Sequence, residues 1–390
     1  MGFKIKLLIA FTFIFSVFAI LFAINKSFIK VELNQNSDES IEQTANKFFN
    51  PKLQKVLDKE VQKTKVPGAV MYISGPEEVW AGASGFSDLE SKTPMKPNDP
   101  LGLASTSKTF VAVAVLQLVE QGKLNLDKAI SNYLPQKIST NIPYSDAITI
   151  RQLLNHTSGV VEYYDDKFHK LTYNRSRSQL WTATEAIELI YGRQPKTKPG
   201  QKYQYCDSNY ILLEIIIEQT TEKTLAEVIR EQILNPLGLK NTFTELREPN
   251  FKSVVTGYSD SNKEKDKDKT LYSHKNLNEG NGLGDGGLIA SASDTAKFLN
   301  ALLGEKTLLS PKMLKEMLTS VSVKDNNNYG LGIGHFQTPF GKAIGHSGWS
   351  YGFVSLMLYF PEKNITAVVL VNKHQDVTKK IMERVLRSYL

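Results

Sequence analysis

The 390-residue chain has a single cysteine, Cys206, which excludes an internal disulfide framework and any Cys-rich zinc module. Its six histidines (His156, His169, His274, His335, His346 and His374) include no pair four positions apart with a glutamate between. A zinc-hydrolase helix is therefore absent. No G-x-x-x-x-G-K-[ST] or G-x-G-x-x-G follows an expected strand, which argues against nucleotide chemistry. The G-x-S-x-G of an α/β-hydrolase elbow is missing too. No sequence period is sustained, so collagen, coiled coil and repeat arrays are excluded. Charge is not one-sided: 47 Lys+Arg against 40 Asp+Glu leave +7, and the lysines are spread along the chain. Nothing in that distribution calls for a nucleic-acid partner. The run 262–269 (NKEKDKDK) mixes both signs and reads as a solvated loop. With 41% hydrophobic and 22% charged residues, the bulk of the chain is a folded body of two or three lobes.

The N-terminus differs from the rest. Leu7 to Ile24 carries no charge, and its length approaches the ~30 Å of a hydrocarbon core. A secretory signal has an apolar run of ~7–15 residues and a small-x-small cleavage site, neither of which fits. The reading is an uncleaved anchor rather than a cleaved signal, with lysines on both flanks giving little orientational bias. Residues 1–25 are thus expected to be a membrane segment and 26–45 a polar tether. Residues 46–390 form the body, which is expected outside the cytoplasm as an exported, membrane-anchored domain.

Asn50-Pro51 reads as an N-cap followed by proline at the first helical position, with Leu53, Val56, Leu57 and Val61 on one face. Ala69–Ile73 and Glu78–Gly82 read as a hairpin. Phe353–Phe360 and Ile365–Val371 are strong strands, followed by an amphipathic helix bearing Val377, Ile381, Val385 and Tyr389. Between these ends the pattern is helical: Thr109–Glu120, Ser178–Tyr191, Tyr210–Gln219, Leu225–Leu234 and Ser293–Leu303. Strands at both termini and helices between them predict a sheet lobe completed by the chain ends, with a helical lobe inserted. A groove between two such lobes is a natural place for chemistry.

Ala104-Ser-Thr-Ser-Lys108 opens a helix that is apolar nearly all round and hence buried. Ser105 and Lys108, three positions apart, share one face of its first turn. A serine hydroxyl needs a neighbour to take its proton, and an amine one turn along can take part. The spacing alone is weak, since Ser27–Lys30 matches it as well, and Ser105 is open to the plainer reading of an N-cap. Two further constellations stand in order along the chain. Gln204-Tyr-Cys-Asp-Ser-Asn-Tyr210 places Tyr205 and Asp207 before a helix. Gly345-His-Ser-Gly348 precedes the strong strand pair.

With those three motifs the chain resembles the serine β-lactamase and penicillin-binding-protein superfamily. The branch is that of class C β-lactamases, D-alanyl-D-alanine carboxypeptidases and related esterases, and S-x-x-K is its nucleophile motif. Ile148–Gly159, Asn235–Leu239, Gly286–Asp294 and Tyr329–Gly332 look like framework loops of that group. The resemblance implies an α+β fold of the β-lactamase/transpeptidase type, an antiparallel sheet flanked by terminal helices with an all-helical lobe inserted at roughly 110–285. It also implies that Ser105 is the nucleophile, Lys108 its proton partner and Tyr205 a general base. Backbone N–H groups of Ser105 and Trp349 form an oxyanion hole, and Asp207, His346, Ser347 and Gly348 meet the substrate. No metal or organic cofactor is implied. The expected activity is a serine hydrolase acting through an acyl-enzyme on a D-Ala-D-Ala-type (cell-wall) peptide, a β-lactam or a small ester. The alternative is a penicillin-binding sensor without turnover, or an inactive homologue.

Two positions depart from the pattern. Asp207 stands where the superfamily has asparagine, unless the register shifts so that Asn209 takes that place. An ionised aspartate only accepts hydrogen bonds, so it is expected to pair with Lys108, favour the charged amine and weaken recognition of acylamide groups. Trp349 replaces a hydroxyl residue that holds the terminal carboxylate in peptidases. Cys206 is read as a small apolar interior residue.

Overall fold

The computed structural model describes residues 50–173, 175–176, 179–248, 255–260, 271–273, 282–323 and 328–390. The apolar segment Leu7–Ile24, the tether and the mixed-charge run 262–269 lie outside the described residues. Among the described residues no helix is long and apolar enough to cross a membrane.

The first helix, Pro51–Thr64, begins where Asn50 Oδ1 accepts the backbone N–H groups of Lys52 (3.1 Å) and Leu53 (3.2 Å). Proline at its first position costs no hydrogen bond, because that N–H has no partner inside a helix. Lys65, in the left-handed conformation at φ 56°, ends it. Strands β1 (Gly68–Ser74), β2 (Val79–Asp88) and β3 (Thr93–Pro94) follow, and then the short β4 (Leu101–Gly102). The helix Ser107–Glu120 comes next, and a mainly helical stretch leads to β5 (Thr242–Thr244). Strands β6 (Tyr258–Asp260) and β7 (Leu271–Ser273) pair with each other, and β8 (Leu288–Ala290) precedes helix Ala292–Leu299. The chain closes with β9 (Val321–Ser322), β10 (Asn328–Tyr329), β11 (Gly334–Thr338), β12 (Gly341–Trp349), β13 (Val354–Phe360), β14 (Ile365–Val371) and helix Thr378–Tyr389.

Nine strands form one antiparallel sheet in the order β3-β2-β1-β14-β13-β12-β11-β10-β9. Its centre therefore joins the two ends of the chain. Every residue of β13 and β14 is buried, because both faces of these strands are covered. Side chains alternate between the faces. Ala69, Met71, Val369 and Val371 pack with Leu53, Leu57, Ile381 and Val385 of the two terminal helices. Val70, Val368 and Leu370 pack with Phe110, Val113 and the rest of the helical lobe. Each fully buried aliphatic side chain contributes ~1.5–3 kcal/mol.

The middle of the chain is not purely helical. A second sheet, β4-β8-β5, stitches the lobe together through strands of two or three residues, too short to leave a period in the sequence. Helices also break sooner than their apolar spacing suggests. The stretch expected as one helix at Leu225–Leu234 is a five-residue α-helix, Leu225–Ile229, continued by a π-turn over Arg230–Leu234. The counterpart of Tyr210–Gln219 is longer, Ser208–Thr221, and almost entirely buried.

Candidate active site

The strand β4 and the helix Ser107–Glu120 are joined by a 3₁₀ turn, Ala104–Thr106, which lifts Ser105 above the helix start. Ser105 is not an N-cap: no side-chain cap bond is made at either element. Ala104 is held at φ 48°, a conformation that costs a non-glycine residue roughly 1–3 kcal/mol and persists only where surroundings enforce it. The enforcement is visible. Ser355 Oγ on β13 donates to Leu103 O (2.6 Å), which leaves it to accept from Thr106 Oγ1 (2.7 Å). On the other side Leu103 N donates to Leu288 O (2.8 Å), and Leu288 N donates to Ser107 Oγ (3.1 Å). The turn that carries Ser105 is thus bolted to both sheets.

Lys108 is completely buried. Its Nζ lies 3.1 Å from Ser105 Oγ and 2.6 Å from Asp207 Oδ1, and it also donates to the carbonyl oxygen of Asp285. An ammonium has three hydrogens, and these three acceptors use them. Burial opposes the charge, but Asp207, then Tyr205 and Asp285, outweigh it and hold the Lys108 pKa above its ordinary value. The amine is a resident cation.

Tyr205 arrives on an extended segment pinned by the loop Ile148–Gly159. Gln204 N donates to His156 O (2.8 Å), and Cys206 N donates to His156 Nδ1 (3.2 Å). The His156 ring lies beneath the phenol ring at 4.1 Å. Lys108 Nζ stands 5.2 Å from the centre of the Tyr205 ring. Tyr205 is 38% exposed and lines the cleft together with Ser105. Desolvation pushes the phenol up to about 12, against the pull of Lys108 and with the push of Asp207.

Asp207 is where the site departs most from a neutral amide. Its backbone N–H donates to Glu162 Oε2 (2.6 Å), whose other oxygen accepts from Tyr164 N (2.9 Å). Burial, then the charge of Asp207, raises Glu162 to about 7. Asp285 is raised to about 6 by burial, against the pull of Lys108, and accepts from the Tyr163 hydroxyl at 2.8 Å. One carboxylate, that of Asp207, is paired directly with the ammonium, while Asp285 reaches it through its backbone carbonyl and Glu162 holds the backbone of Asp207. Asn209, the alternative in the shifted register, is fully buried and bonded to Ser158 Oγ (2.6 Å) and His156 Nδ1 (3.1 Å). Asp207, not Asn209, lines the cleft.

Strand β12 forms the facing wall. His346 is buried, with Nδ1 2.6 Å from Ser347 O and Nε2 2.7 Å from the Tyr329 hydroxyl. A carbonyl only accepts, so Nδ1 carries the proton. Burial, then Lys108, pushes the imidazole down to about 3, so Nε2 accepts from Tyr329. Both ring nitrogens are engaged within the protein. Gly348 lies so close to the nucleophile turn that an added Cβ would stand 2.2 Å from Leu103 O and 3.0 Å from Ser105 N. The next residue, Trp349, is 44% exposed, its indole edge-on to His374 at 5.0 Å. Ser105, Asp207, His346, Ser347 and Trp349 line one cleft of about 430 Å³ together with Tyr203, Tyr205 and Tyr329.

Ser105 and Asp207 thus meet at the Lys108 ammonium, with the Tyr205 ring 5.2 Å from it and the His-Ser-Gly strand opposite. Cys206 is buried, its Sγ–H directed at Val160 O (3.3 Å), and desolvation raises its thiol pKa. Glu162, Asp285, His156 and Tyr329 belong to the site as well, although the sequence singled none of them out. Three of these lie in or beside stretches read as framework loops. Their signal was a polar residue at the edge of such a loop, not a motif.

The family model described as Beta-lactamase matches residues 53–389. Protein flp of Staphylococcus aureus (strain MW2) is 27% identical over 338 residues, covering 84% of this chain and 64% of the relative. The chain thus spans less than two thirds of that protein. The octameric penicillin-binding protein homologue from Pyrococcus abyssi is 28% identical with a TM-score of 0.74, covering 87% of this chain and 76% of that one. The D-amino acid amidase from Ochrobactrum anthropi SV3, solved with L-phenylalanine amide, is 25% identical with a TM-score of 0.74, covering 87% and 97%.

Proposed function

The chain belongs to the Beta-lactamase family, and from that membership we propose that it is a serine hydrolase working through an acyl-enzyme on Ser105. The observation that carries the reading is the 3.1 Å contact between Ser105 Oγ and a buried Lys108 Nζ, with the Tyr205 ring 5.2 Å from the same ammonium.

In this reading Ser105 Oγ attacks a substrate carbonyl carbon and its proton passes to the phenolate form of Tyr205, an anion that the nearby Lys108 ammonium stabilises. Lys108 is kept charged by Asp207, so it serves as electrostatic support while the phenol oxygen moves the proton. The tetrahedral oxyanion is received by the N–H groups of Ser105 and Trp349, donors worth ~2.7–4 kcal/mol each in comparable hydrolases. The C–N or C–O bond then breaks, the departing amine or alcohol takes the proton, and an ester on Ser105 remains. Water repeats the sequence, releasing the acid and restoring the hydroxyl. Ser347, on the wall opposite, and Asp207 meet the substrate, while His346 and Gly348 fix the wall itself.

The substrate is a small acyl compound: an amino-acid amide or peptide, a β-lactam or an ester. The uncharged run Leu7–Ile24 supports an exported, membrane-anchored protein with its catalytic body outside the cytoplasm. A chromogenic short-chain ester and a fluorescent penicillin, each offered to the wild type and to Ser105→Ala, test the reading. Turnover with a transient mass increase on Ser105, abolished in the variant, supports it. One stable label per chain without turnover would make the protein a sensor, and activity surviving in the variant would overturn the assignment of Ser105.

A further inference from the structure

We propose that Asp207 makes this cleft select substrates carrying an ammonium beside the scissile carbonyl, and makes it reject ligands that present a carboxylate there. The inference rests on the serine-hydrolase reading and names its substrate class.

Asp207 lines the cleft with 21% of its side chain exposed. One carboxylate oxygen, Oδ1, is sealed against Lys108, so the exposed part is the remainder of the group, facing the substrate. A single ammonium separates that carboxylate from Ser105 Oγ. A group on the carbon adjacent to the attacked carbonyl is therefore delivered to it. An asparagine there offers a donor as well as an acceptor, whereas a carboxylate offers acceptors only. An N–H-bearing cation is the complementary partner, and the contact is charge-assisted.

The surroundings reinforce the sign. Lys108 is buried behind Asp207, and Asp207 is the one carboxylate among the described residues that line the cleft, so the charge presented to an entering ligand is negative. No lysine or arginine is among the described residues that line the cleft. Of the two histidines that line it, His346 has both nitrogens engaged, and burial holds the His335 imidazole below its ordinary pKa and so towards the neutral form. Trp349 offers a carboxylate an indole wall. A substrate with a free α-amino group meets a counter-ion on entry, and a carboxylate meets none.

The test compares phenylalanine amide with its N-acetyl derivative, in both enantiomers, on the full-length chain. The two share a leaving group, so titration of Lys108, Tyr205, Glu162 and Asp285 affects both alike and cancels in the ratio of kcat/KM values. The free amine is expected to be favoured about tenfold or more at pH 7, the scale of one charge-assisted hydrogen bond. The ratio should fall as pH rises past ~8, where an α-amino group loses its proton. Asp207→Asn should bring it near unity, and Asp207→Glu should retain it. Fluorescent penicillin should label the wild type more slowly than Asp207→Asn. Equal rates for the two amides, or a ratio unchanged in Asp207→Asn, would overturn the proposal. A neutral p-nitrophenyl ester separates the two levels. If Ser105-dependent ester turnover persists, only the ammonium selectivity has failed. If it is absent, the hydrolase reading has failed too.

Discussion

Asp207 grips Lys108 at 2.6 Å on the far side of the ammonium that stands 3.1 Å from Ser105 Oγ. The nucleophile therefore accepts a hydrogen bond from a cation whose charge is guaranteed by a neighbouring anion. In the proposed mechanism such an ammonium does not take the serine proton, which leaves the phenolate form of Tyr205 to accept it. This division of labour makes the site's pH response a property of Asp207.

The first prediction follows from that response. Tyr205 sits at about 12, with burial raising it, Lys108 lowering it and Asp207 raising it again. In the proposed mechanism the deprotonated phenol is the active base, so kcat/KM for a neutral ester should climb with pH towards that value. Asp207→Asn removes an anion, which lowers the phenol pKa and shifts the rising limb to lower pH by roughly one unit. The same variant restores a donor for an acylamide carbonyl, so its ester-to-amide preference should fall. pH–rate profiles for one ester and one amide check both. An unmoved limb would mean that Asp207 does not control the base.

A second prediction concerns Gly348, whose missing Cβ is a matter of contact distance. A methyl there would lie 2.2 Å from Leu103 O and 2.6 Å from Ser355 Oγ, the two groups that bolt the nucleophile turn to β13. Either β12 or the turn must shift by a large fraction of an ångström. Gly348→Ala should lose ~10²-fold in kcat, the cost of a misplacement on that scale. Gly345→Ala is the control. It would put a methyl 1.9 Å from Met357 O, inside the sheet and clear of Ser105. It should lower Tm more than Gly348→Ala does. Equal activity losses at equal Tm would remove the argument for a specific fit at position 348.

The sequence made the sheet and the motif residues legible, for physical reasons that stop short of the rest of the site. Ile365–Val371 reads as a strand because both its faces are buried and β-branched residues fit there. Asn50-Pro51 reads as a helix start because the cap and the proline act locally. Ser105 and Lys108 are one turn apart, so their contact is encoded in three residues of spacing. Asp285 and Glu162 meet Lys108 and Asp207 across separations of 177 and 45 residues, which no local pattern records. The engagement of His346 was hidden likewise, because the partner of its second nitrogen, Tyr329, comes from a different strand. The two- and three-residue strands β4, β8 and β5 exist only through their pairing with one another.

The last prediction turns on Glu214, buried in helix Ser208–Thr221 outside the cleft. Its Oε2 accepts from Gly284 N at 2.7 Å, one residue before Asp285. Burial, then the charge of Glu218, raises its pKa from 4.5 to about 8. A carboxyl group raised in the folded state stabilises the fold fully below its ordinary pKa. That contribution is lost as pH climbs through the folded value. Between pH 4.5 and 8, Glu214 should therefore make the protein progressively less stable. Glu162, at about 7, and Asp285, at about 6, add slopes of the same sign. Glu214→Gln keeps the acceptor for Gly284 N but removes the ionisation. Its Tm should fall less steeply than that of the wild type across this range, with a residual slope from the other two groups. Because the loop held by Glu214 carries the carbonyl that orients Lys108, the variant should also retain more of its ester turnover at pH 9 relative to pH 7. Superimposable Tm–pH curves for the two proteins would show that Glu214 is already ionised in the fold, and that its bond to Gly284 is not under proton control.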